Sequence, residues 1–228
     1  MDPIILTPRL KLILVTKAER GSAEFEWLHE LHSNEKSMFW SIGGRAKSIE
    51  DAEMIMNCYL PTEKEGETTY KVAYAVLRVL EPAEQRTEFI GLVTLGSLDA
   101  RSLPLPEDLT LPVTAAATTL TVEIAYLFLP AGWGKGYATE SIKAVFECCR
   151  RARSFWMPFS KLYVRAIVNS ENMASARVME KTGMVERGVY EWTGKAVLVG
   201  GRWRERDNIC IFGMHLLDGG DDDVDDAI

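Results

Sequence analysis

Three closely spaced glycines mark the stretch of this sequence that is best suited to chemistry. They follow a short apolar run that ends at Pro130, and they stand at positions 132, 134 and 136. A helical pattern begins directly after them, with apolar side chains on one side at Ile142, Val145, Phe146 and Cys149. A strand, a glycine turn and a helix in this order present backbone N–H groups to an anion. The stretch therefore predicts a phosphate-binding turn.

Two familiar phosphate-binding motifs match this turn only in part. A P-loop requires Gly-Lys followed by Ser or Thr, whereas Gly134-Lys135 is followed by Gly136, so the hydroxyl that would hold Mg²⁺ is missing. The dinucleotide fingerprint requires a third glycine three residues after the second, and that position is Tyr137. A third interpretation is a cradle for the pyrophosphate of coenzyme A. Only the rest of the chain separates these three interpretations.

The cysteines and histidines do not indicate a metal site. His29 and His32 are three residues apart on a predicted helix, but the sequence suggests no third ligand beside them. The four cysteines lack the C-x-x-C spacing of zinc sites and stand at positions 58, 148, 149 and 210. We therefore expect no metal, and we expect reduced thiols in a cytoplasmic protein, with the nucleus as the alternative compartment.

The composition is that of an ordinary globular protein. The chain has 228 residues, of which 47% are hydrophobic and 26% charged, which favours a single domain over residues 1–217. No apolar run reaches about 18 residues, so no membrane span is expected, and the first residues lack the pattern of a signal peptide. No basic patch with interleaved aromatic residues indicates nucleic-acid binding.

Most of the net charge lies at the carboxyl end. Of the net charge of −7, residues 218–228 carry −6, since they contain six Asp and no basic residue, and the rest carries −1. Such a tail is typical of a disordered, solubilising end. Attraction of basic protein substrates is the alternative role.

Hydrophobic periodicity predicts the elements that position the turn. Strands are predicted at 9–16, 70–80, 89–95, 120–128, 161–168, 185–192 and 203–216, and helices at 22–33, 48–59, 137–152 and 172–182. The order β-α-α-β-β-β-α-β-α-β-β predicts an α/β (α+β) fold with a mixed, mostly antiparallel twisted sheet flanked by helices. Residues 99–117, with three prolines, are predicted to form a long irregular insertion that is functional or disordered. The 194–201 connection is predicted at or near the turn of the last hairpin.

Two segments together resemble the GCN5-related N-acetyltransferase (GNAT) superfamily and, within it, the RimJ/RimL-like group. They are Pro130 to Glu140 (PAGWGKGYATE) and Asn172 to Met184 (NMASARVMEKTGM), with a predicted strand between them. The resemblance covers nearly all of residues 4–216. It implies acetyl-CoA as the co-substrate and an amine acceptor, either a protein N-terminus or a small molecule. It implies no further cofactor, and it leaves monomer and homodimer open.

The resemblance also implies which residues hold the co-substrate. Its pyrophosphate would accept N–H bonds from the turn at the positive end of the helix dipole, where glycines allow the backbone to approach closely. Its pantetheine arm would pair with backbone near Phe128, where the family's strand splays from the next one. Asn172 would hold the pantetheine or pyrophosphate, or would cap its own helix. The implied binding residues are Phe128, Trp133, Gly134, Lys135, Gly136, Tyr137, Ala138, Thr139 and Asn172.

The implied reaction is direct attack of a neutral amine on the thioester, which requires a base, an oxyanion donor and a proton for the leaving thiolate. Glu123 is the candidate base, because it lies on the strand that leads to the turn. The alternative is a half-exposed strand Glu paired with Arg or Lys. Met179 stands where many family members have Tyr, and it cannot donate a proton. Ser175 is the candidate group at the sulfur, with an ordinary helix serine as the alternative.

Three functions remain open from the sequence. The first is an active N-acetyltransferase. The second is a non-catalytic CoA-binding or protein-interaction domain of the same fold, which the Met at position 179 suggests. The third is an unrelated nucleotide-binding domain that uses the same turn. The acceptor pocket is expected among the first two helices, the 37–47 loop and the 190–203 region, where several aromatic residues stand.

Overall fold

The structure is a computed structural model, and it describes residues 1–61, 70–81 and 86–218. Its centre is an eight-stranded sheet in the order β1-β2-β3-β4-β5-β6-β8-β7, in which only β5 and β6 pair in parallel. The strands are β1 (Ile4–Leu6), β2 (Leu10–Leu14), β3 (Lys71–Glu81), β4 (Arg86–Ser97), β5 (Thr119–Phe128), β6 (Lys161–Asn169), β7 (Val185–Val199) and β8 (Arg202–Asp218). The helices are α1 (Ala23–Ser33), α2 (Ile49–Tyr59), α3 (Tyr137–Arg151) and α4 (Met173–Lys181).

The predicted fold class is confirmed, and the structure adds detail at two places. A short edge strand, β1, precedes the first predicted strand and pairs with β2. The last hairpin is longer than the sequence indicated, because β7 runs on to Val199 and the turn is formed by Gly200 and Gly201 alone. A bulge between Thr193 and Val197 carries the strand past Gly194. The two turn glycines have φ of +60° and +72°, as a tight hairpin turn requires.

The helices begin and end at the residues that local chemistry favours. The side chains of Ser22 and Ser48 accept hydrogen bonds from the backbone N–H groups of Phe25 and Asp51, each at 3.1 Å. A capping bond of this kind stabilises a helix by about 1 kcal/mol. Gly183 follows the last residues of α4 with φ of +91°, which is the left-handed conformation that ends many helices.

Alternate residues of β5 divide the sheet into two faces. Val122, Ile124 and Phe128 belong to a core that includes the buried side of α3 and Met179 of α4. Leu127 packs instead on the core under α1 and α2. We call these the α3 face and the α1 face.

The predicted insertion at residues 99–117 packs on the α1 face of the sheet, beside α1 and α2. It contains short 3₁₀ turns at Glu107–Leu109 and Val113–Ala117. Leu109 packs on Ile209 and Ile211 of β8, on the α1 face. The insertion therefore covers the half of this face that α1 and α2 leave open, and its packing role is the reason for its apolar residues.

The two parallel strands at the centre of the sheet separate partway along their length. They pair from Thr119 and Lys161 as far as Glu123 and Arg165, and we call the point after this last pair the fork. The backbone N–H of Leu129 donates to the carbonyl of Ile90 on β4 at 2.9 Å. Because backbone groups alternate in direction along a strand, those of Tyr126 and Phe128 point toward the gap. The splay that the family resemblance implied is present.

Two further expectations concern the acidic tail and membrane-spanning segments. The acidic tail lies outside the described residues, apart from Asp218. Among the described residues, no helix is both long enough and apolar enough to cross a membrane.

Candidate active site

A cavity of about 660 Å³ lies at the fork, and its lining includes Phe128 on the α3 face and Leu127 on the α1 face. One end is formed on the α3 face by the glycine turn, the start of α3 and α4. The other end is formed by Lys36, Ser37, Phe39 and Trp40, which follow α1. Most of the implied binding residues line the cavity, namely Phe128, Trp133, Gly134, Gly136, Tyr137, Ala138, Thr139 and Asn172.

The glycine turn has the backbone of an anion cradle. Gly134 and Gly136 adopt φ of +69° and +78°, a conformation that costs other residues about 1–2 kcal/mol. Gly136 is the N-cap residue of α3 and has no side chain that could accept a hydrogen bond from the helix. The backbone N–H groups of the first turn are therefore left for a ligand. No atom lies within 4 Å of the place where a Cβ on Gly134 would stand. The turn is therefore open to a bulky anion.

A second layer holds this turn in place. Glu140, in the first turn of α3, accepts hydrogen bonds from the Thr7 hydroxyl at 2.6 Å and from the Arg9 guanidinium at 2.7 Å. Arg9 also donates to the carbonyl of Lys135 at 3.0 Å. Burial opposes ionisation of Glu140, but the bonds from Thr7 and Arg9 outweigh it, and the pKa of Glu140 is lowered. Glu140 is thus a structural carboxylate that ties α3 to the β1–β2 connection.

Two predicted binding residues are engaged by the protein itself. The ammonium of Lys135 donates to the carbonyl of Ala131 at 2.9 Å, and Lys135 does not line the cavity. The indole N–H of Trp133 donates to the carbonyl of Phe128 at 2.7 Å. One backbone acceptor near the fork is therefore occupied, which leaves the N–H of Phe128 and the backbone of Tyr126 facing the gap.

The start of α4 brings together a pair of hydroxyl groups. The side chain of Asn172 accepts a bond from the N–H of Ser175 at 3.2 Å, so it caps the helix, and it also lines the cavity. The Ser175 hydroxyl lies 2.7 Å from the hydroxyl of Tyr126 on β5. Burial raises the pKa of Tyr126 to about 12, although its bond to Ser175 acts in the opposite direction. Tyr126 therefore stays protonated at any ordinary pH.

Sequence reasoning missed Tyr126, although a signal was present. Strand alternation places it on the same side of β5 as Phe128, which was predicted to bind the co-substrate. Met179, by contrast, is fully buried in the core on the α3 face. Tyr126 instead places a hydroxyl group on β5, next to the start of α4.

Glu123 lies at the fork but does not line the cavity. Its carboxylate accepts bonds from two nitrogens of Arg165, at 3.0 and 2.9 Å. Arg165, which is only 5% exposed, also donates to the carbonyl of Leu103 in the insertion at 3.1 Å. The structure thus shows the pairing with Arg that was the alternative for this residue. The ion pair joins β5 to β6 at the last point before they separate, on the α1 face.

The far end of the cavity is built by residues that are distant in sequence. Phe39 and Trp40 pack edge to face, with ring centroids 5.2 Å apart. The carbonyl of Phe39 accepts a bond from the N–H of Gly200 at 2.8 Å, so the hairpin turn closes on this segment. The other aromatic candidates lie elsewhere, since Tyr190 and Trp192 pack beneath the insertion and Trp203 is exposed.

No group of three or more potential metal-ligating side chains occurs in the described parts of the chain. The residues that line the cavity include the cations Lys36, Arg177 and Lys181 but no Asp or Glu. The site is thus suited to an anionic ligand.

Comparison with known proteins defines the family. A family model described as an acetyltransferase (GNAT) domain matches residues 9–185. No protein among those with curated functions matches the chain significantly.

Solved structures share the fold at low sequence identity. A GNAT-family acetyltransferase from Bacillus anthracis is 21% identical with a TM-score of 0.56, over 93% of this chain and 98% of that one. A spermidine N-acetyltransferase from Vibrio cholerae, solved with CoA and spermine, is 18% identical with a TM-score of 0.57, over 92% and 97%. A GCN5-related N-acetyltransferase from Brucella melitensis is 14% identical with a TM-score of 0.57, over 93% and 78%. Since the family model spans most of its length, this chain belongs to the GNAT acetyltransferase family.

Proposed function

We propose that this protein is an acetyl-CoA-dependent N-acetyltransferase of the RimJ/RimL-like group that transfers the acetyl group to a primary amine. The acceptor is a protein N-terminus or a small molecule. The observation that carries the proposal is the lining of one cavity at the fork, which includes both the open glycine turn and Leu127 on the opposite face of the sheet. A ligand anchored by its phosphates at the turn can thus present its other end to an acceptor on the α1 face.

The cavity fits the co-substrate in charge and shape. The first-turn N–H groups of α3 and the two glycines would hold the pyrophosphate. Arg177 and Lys181 of α4 line the same end and supply positive charge for further phosphate. The gap beside Tyr126 and Phe128 offers backbone groups to an extended amide-containing arm. Asn172, at the start of α4, borders this path.

The residues around the fork have separate roles in the proposed reaction. Bound acetyl-CoA supplies the thioester. Glu123 lies outside the cavity, so it takes a proton from the acceptor ammonium through water, and Arg165 fixes the position of its carboxylate. The amine nitrogen then bonds to the acetyl carbon, the bond from that carbon to sulfur breaks, and the nitrogen releases its second proton to water to leave a neutral amide. Backbone N–H groups that face the gap stabilise the negative charge on the acetyl oxygen.

The leaving sulfur receives its proton from the hydroxyl pair. Ser175 gives its proton to the thiolate and takes one from Tyr126, whose own proton is replaced from solvent after the product leaves. The 2.7 Å separation of the two oxygens is short enough for such a transfer. This pair replaces the Tyr that many relatives carry where this chain has Met179.

We assign the reaction to the cytoplasm, because all four cysteines are free thiols. Residues 1–217 would form one domain, as monomer or homodimer. The non-catalytic alternative differs in one respect, since it binds CoA but releases none from acetyl-CoA.

One experiment tests the proposal. The protein is incubated with acetyl-CoA and a panel of amines, which includes peptides with free N-termini, and free thiol is measured over time. Calorimetry with CoA, ATP and NAD is run in parallel. Amine-dependent thiol release supports the proposal, and CoA binding without any release supports the non-catalytic alternative. Tight binding of ATP or NAD with no response to CoA would show an unrelated nucleotide-binding domain.

A further inference from the structure

We infer that the acceptor is a primary amine that carries an aromatic or aliphatic group together with a carboxylate, and that it is not a polycation. This inference rests on the proposed function, since it concerns the acceptor end of the same cavity. That end is the part lined by Lys36, Ser37, Phe39 and Trp40.

The apolar part of the inference follows from two aromatic side chains. Phe39 and Trp40 line the cavity, and Phe39 is 46% exposed. The Trp40 ring lies so close to Gly200 that a Cβ there would come within 2.6 Å of it. The hairpin turn therefore fixes the ring in place. A rigid aromatic wall favours an apolar or aromatic group over a polar chain.

The charged part follows from an unequal distribution of charges. Lys36 lines the acceptor end, and within the described residues its ammonium forms no ion pair. Among the described residues, no Asp or Glu side chain lines the cavity. A free cation beside an aromatic wall is suited to an acceptor that brings its own carboxylate.

Three acidic residues around the fork form ion pairs with arginines and do not line the cavity. Glu123 is paired with Arg165. Glu171, next to the start of α4, is paired with Arg202 and Arg204. Asp207 on β8 is also paired with Arg204, at 2.9 Å. None of these carboxylates is left to bind the second or third ammonium of a polyamine.

The acceptor panel that tests this inference compares L-phenylalanine, L-phenylalaninamide and spermidine. The first two differ only in the carboxylate. We expect the KM of phenylalanine to be lower than that of its amide by about tenfold, as one charge-assisted contact supplies, and spermidine to be the poorest acceptor. The amide has the larger fraction of neutral amine, so a preference for the acid does not come from amine basicity. A preference for spermidine would overturn the inference.

The substitution Lys36→Glu tests the role of the cation. It should abolish the preference for phenylalanine over its amide and leave the KM of acetyl-CoA unchanged. Lys143→Glu, on the exposed side of α3 and outside the cavity, makes the same charge change and should keep the preference. If Lys36→Glu raises the KM of acetyl-CoA instead, Lys36 serves the co-substrate and the inference is wrong.

A binding measurement separates this inference from the proposed function. Phenylalanine, its amide and spermidine are titrated by calorimetry into the CoA-saturated protein. Binding in the order given above, with no turnover of any acceptor, would sink the proposed transfer but keep the inferred ligand class. Turnover with the opposite order of acceptors, or turnover with equal binding of the acid and its amide, would keep the proposed transfer and overturn the inferred ligand class.

Discussion

The two ends of the cavity are built in different ways. The end that we propose binds phosphate, here called the phosphate end, consists of neighbours in sequence, from Pro130 to Glu140, and its shape comes from glycines at positive φ and the start of one helix. The acceptor end joins Phe39 to Gly200, which are far apart in the chain, through one backbone hydrogen bond. The first end is a local motif, whereas the second exists only when the hairpin reaches the segment after α1.

This difference predicts that the two ends can vary separately. A co-substrate that is the same for a whole family requires one fixed backbone geometry, and a short motif provides it. An acceptor that differs between enzymes requires side chains that can change without disturbing that geometry. Four predictions probe whether the two ends, and the fork between them, behave as separate units.

The largest effect is expected from a change in the glycine turn. Gly136→Trp should abolish CoA binding, because a side chain at φ of +78° is strained and its ring would fill the cradle. Calorimetry with CoA measures the loss. Gly21→Trp is the matched control, since Gly21 has φ of +86° in an open turn away from the cavity. Equal affinity in both variants would show that the cradle lies elsewhere.

Removing the hydroxyl pair at the fork should lower the rate but not the affinity. Tyr126→Phe is expected to reduce kcat by about a hundredfold, as loss of a proton donor does, and to leave the KM of acetyl-CoA nearly unchanged. Ser175→Ala should have a similar effect, and the double variant should be little worse, because both belong to one relay. Tyr190→Phe, beneath the insertion, should match the wild type. Full activity of Tyr126→Phe would remove it from the mechanism.

A smaller loss of rate is expected at the ion pair. Glu123→Gln should lower kcat by about tenfold or more with less change in the KM of acetyl-CoA. Glu88→Gln is a close control, because Glu88 is also a strand carboxylate paired with an arginine, Arg78. If both variants keep wild-type kcat and lose only thermal stability, Glu123 is structural. Steady-state kinetics and thermal unfolding of both proteins decide this.

The fourth prediction has the smallest effect on catalysis, because it concerns the stability of the folded protein in acid, near the acceptor end. Burial lowers the pKa of His32 to about 4, and its carbonyl accepts the N–H of Ala46 at 2.9 Å, which ties down the loop after α1. The unfolded chain binds a proton at this histidine below about pH 6.5, and the folded protein does not until about pH 4. The free energy of unfolding should therefore fall by up to about 3 kcal/mol as the pH drops through this window.

Urea unfolding between pH 7 and pH 4 measures that fall. His32→Leu should flatten the pH dependence, because it removes the group whose protonation differs between the two states. His29→Leu, on the same helix, is the control and should retain it. An unchanged slope in His32→Leu would assign the acid sensitivity to other groups.

The sequence was most informative where structure is local. Ser22, Ser48 and Gly183 mark helix boundaries through bonds that span three or four residues, and all three do so in the structure. The turn at Gly134 and Gly136 could be recognised for the same reason. The end of β7 was misplaced, because a bulge lets the strand continue past Gly194, and only its pairing with β8 shows this.

The sequence alone determined the mixed sheet and the phosphate end of the cavity, since periodicity and positive-φ glycines act over a few residues. Tertiary structure decided the rest. It paired Glu123 with Arg165, set Tyr126 against Ser175, and turned the carbonyl of Phe128 toward Trp133. These contacts depend on where β5 and β6 separate and on how α4 lies across the gap. The residue types of two side chains do not determine how far apart their strands and helices lie. Such pairs can therefore be identified only in the folded structure.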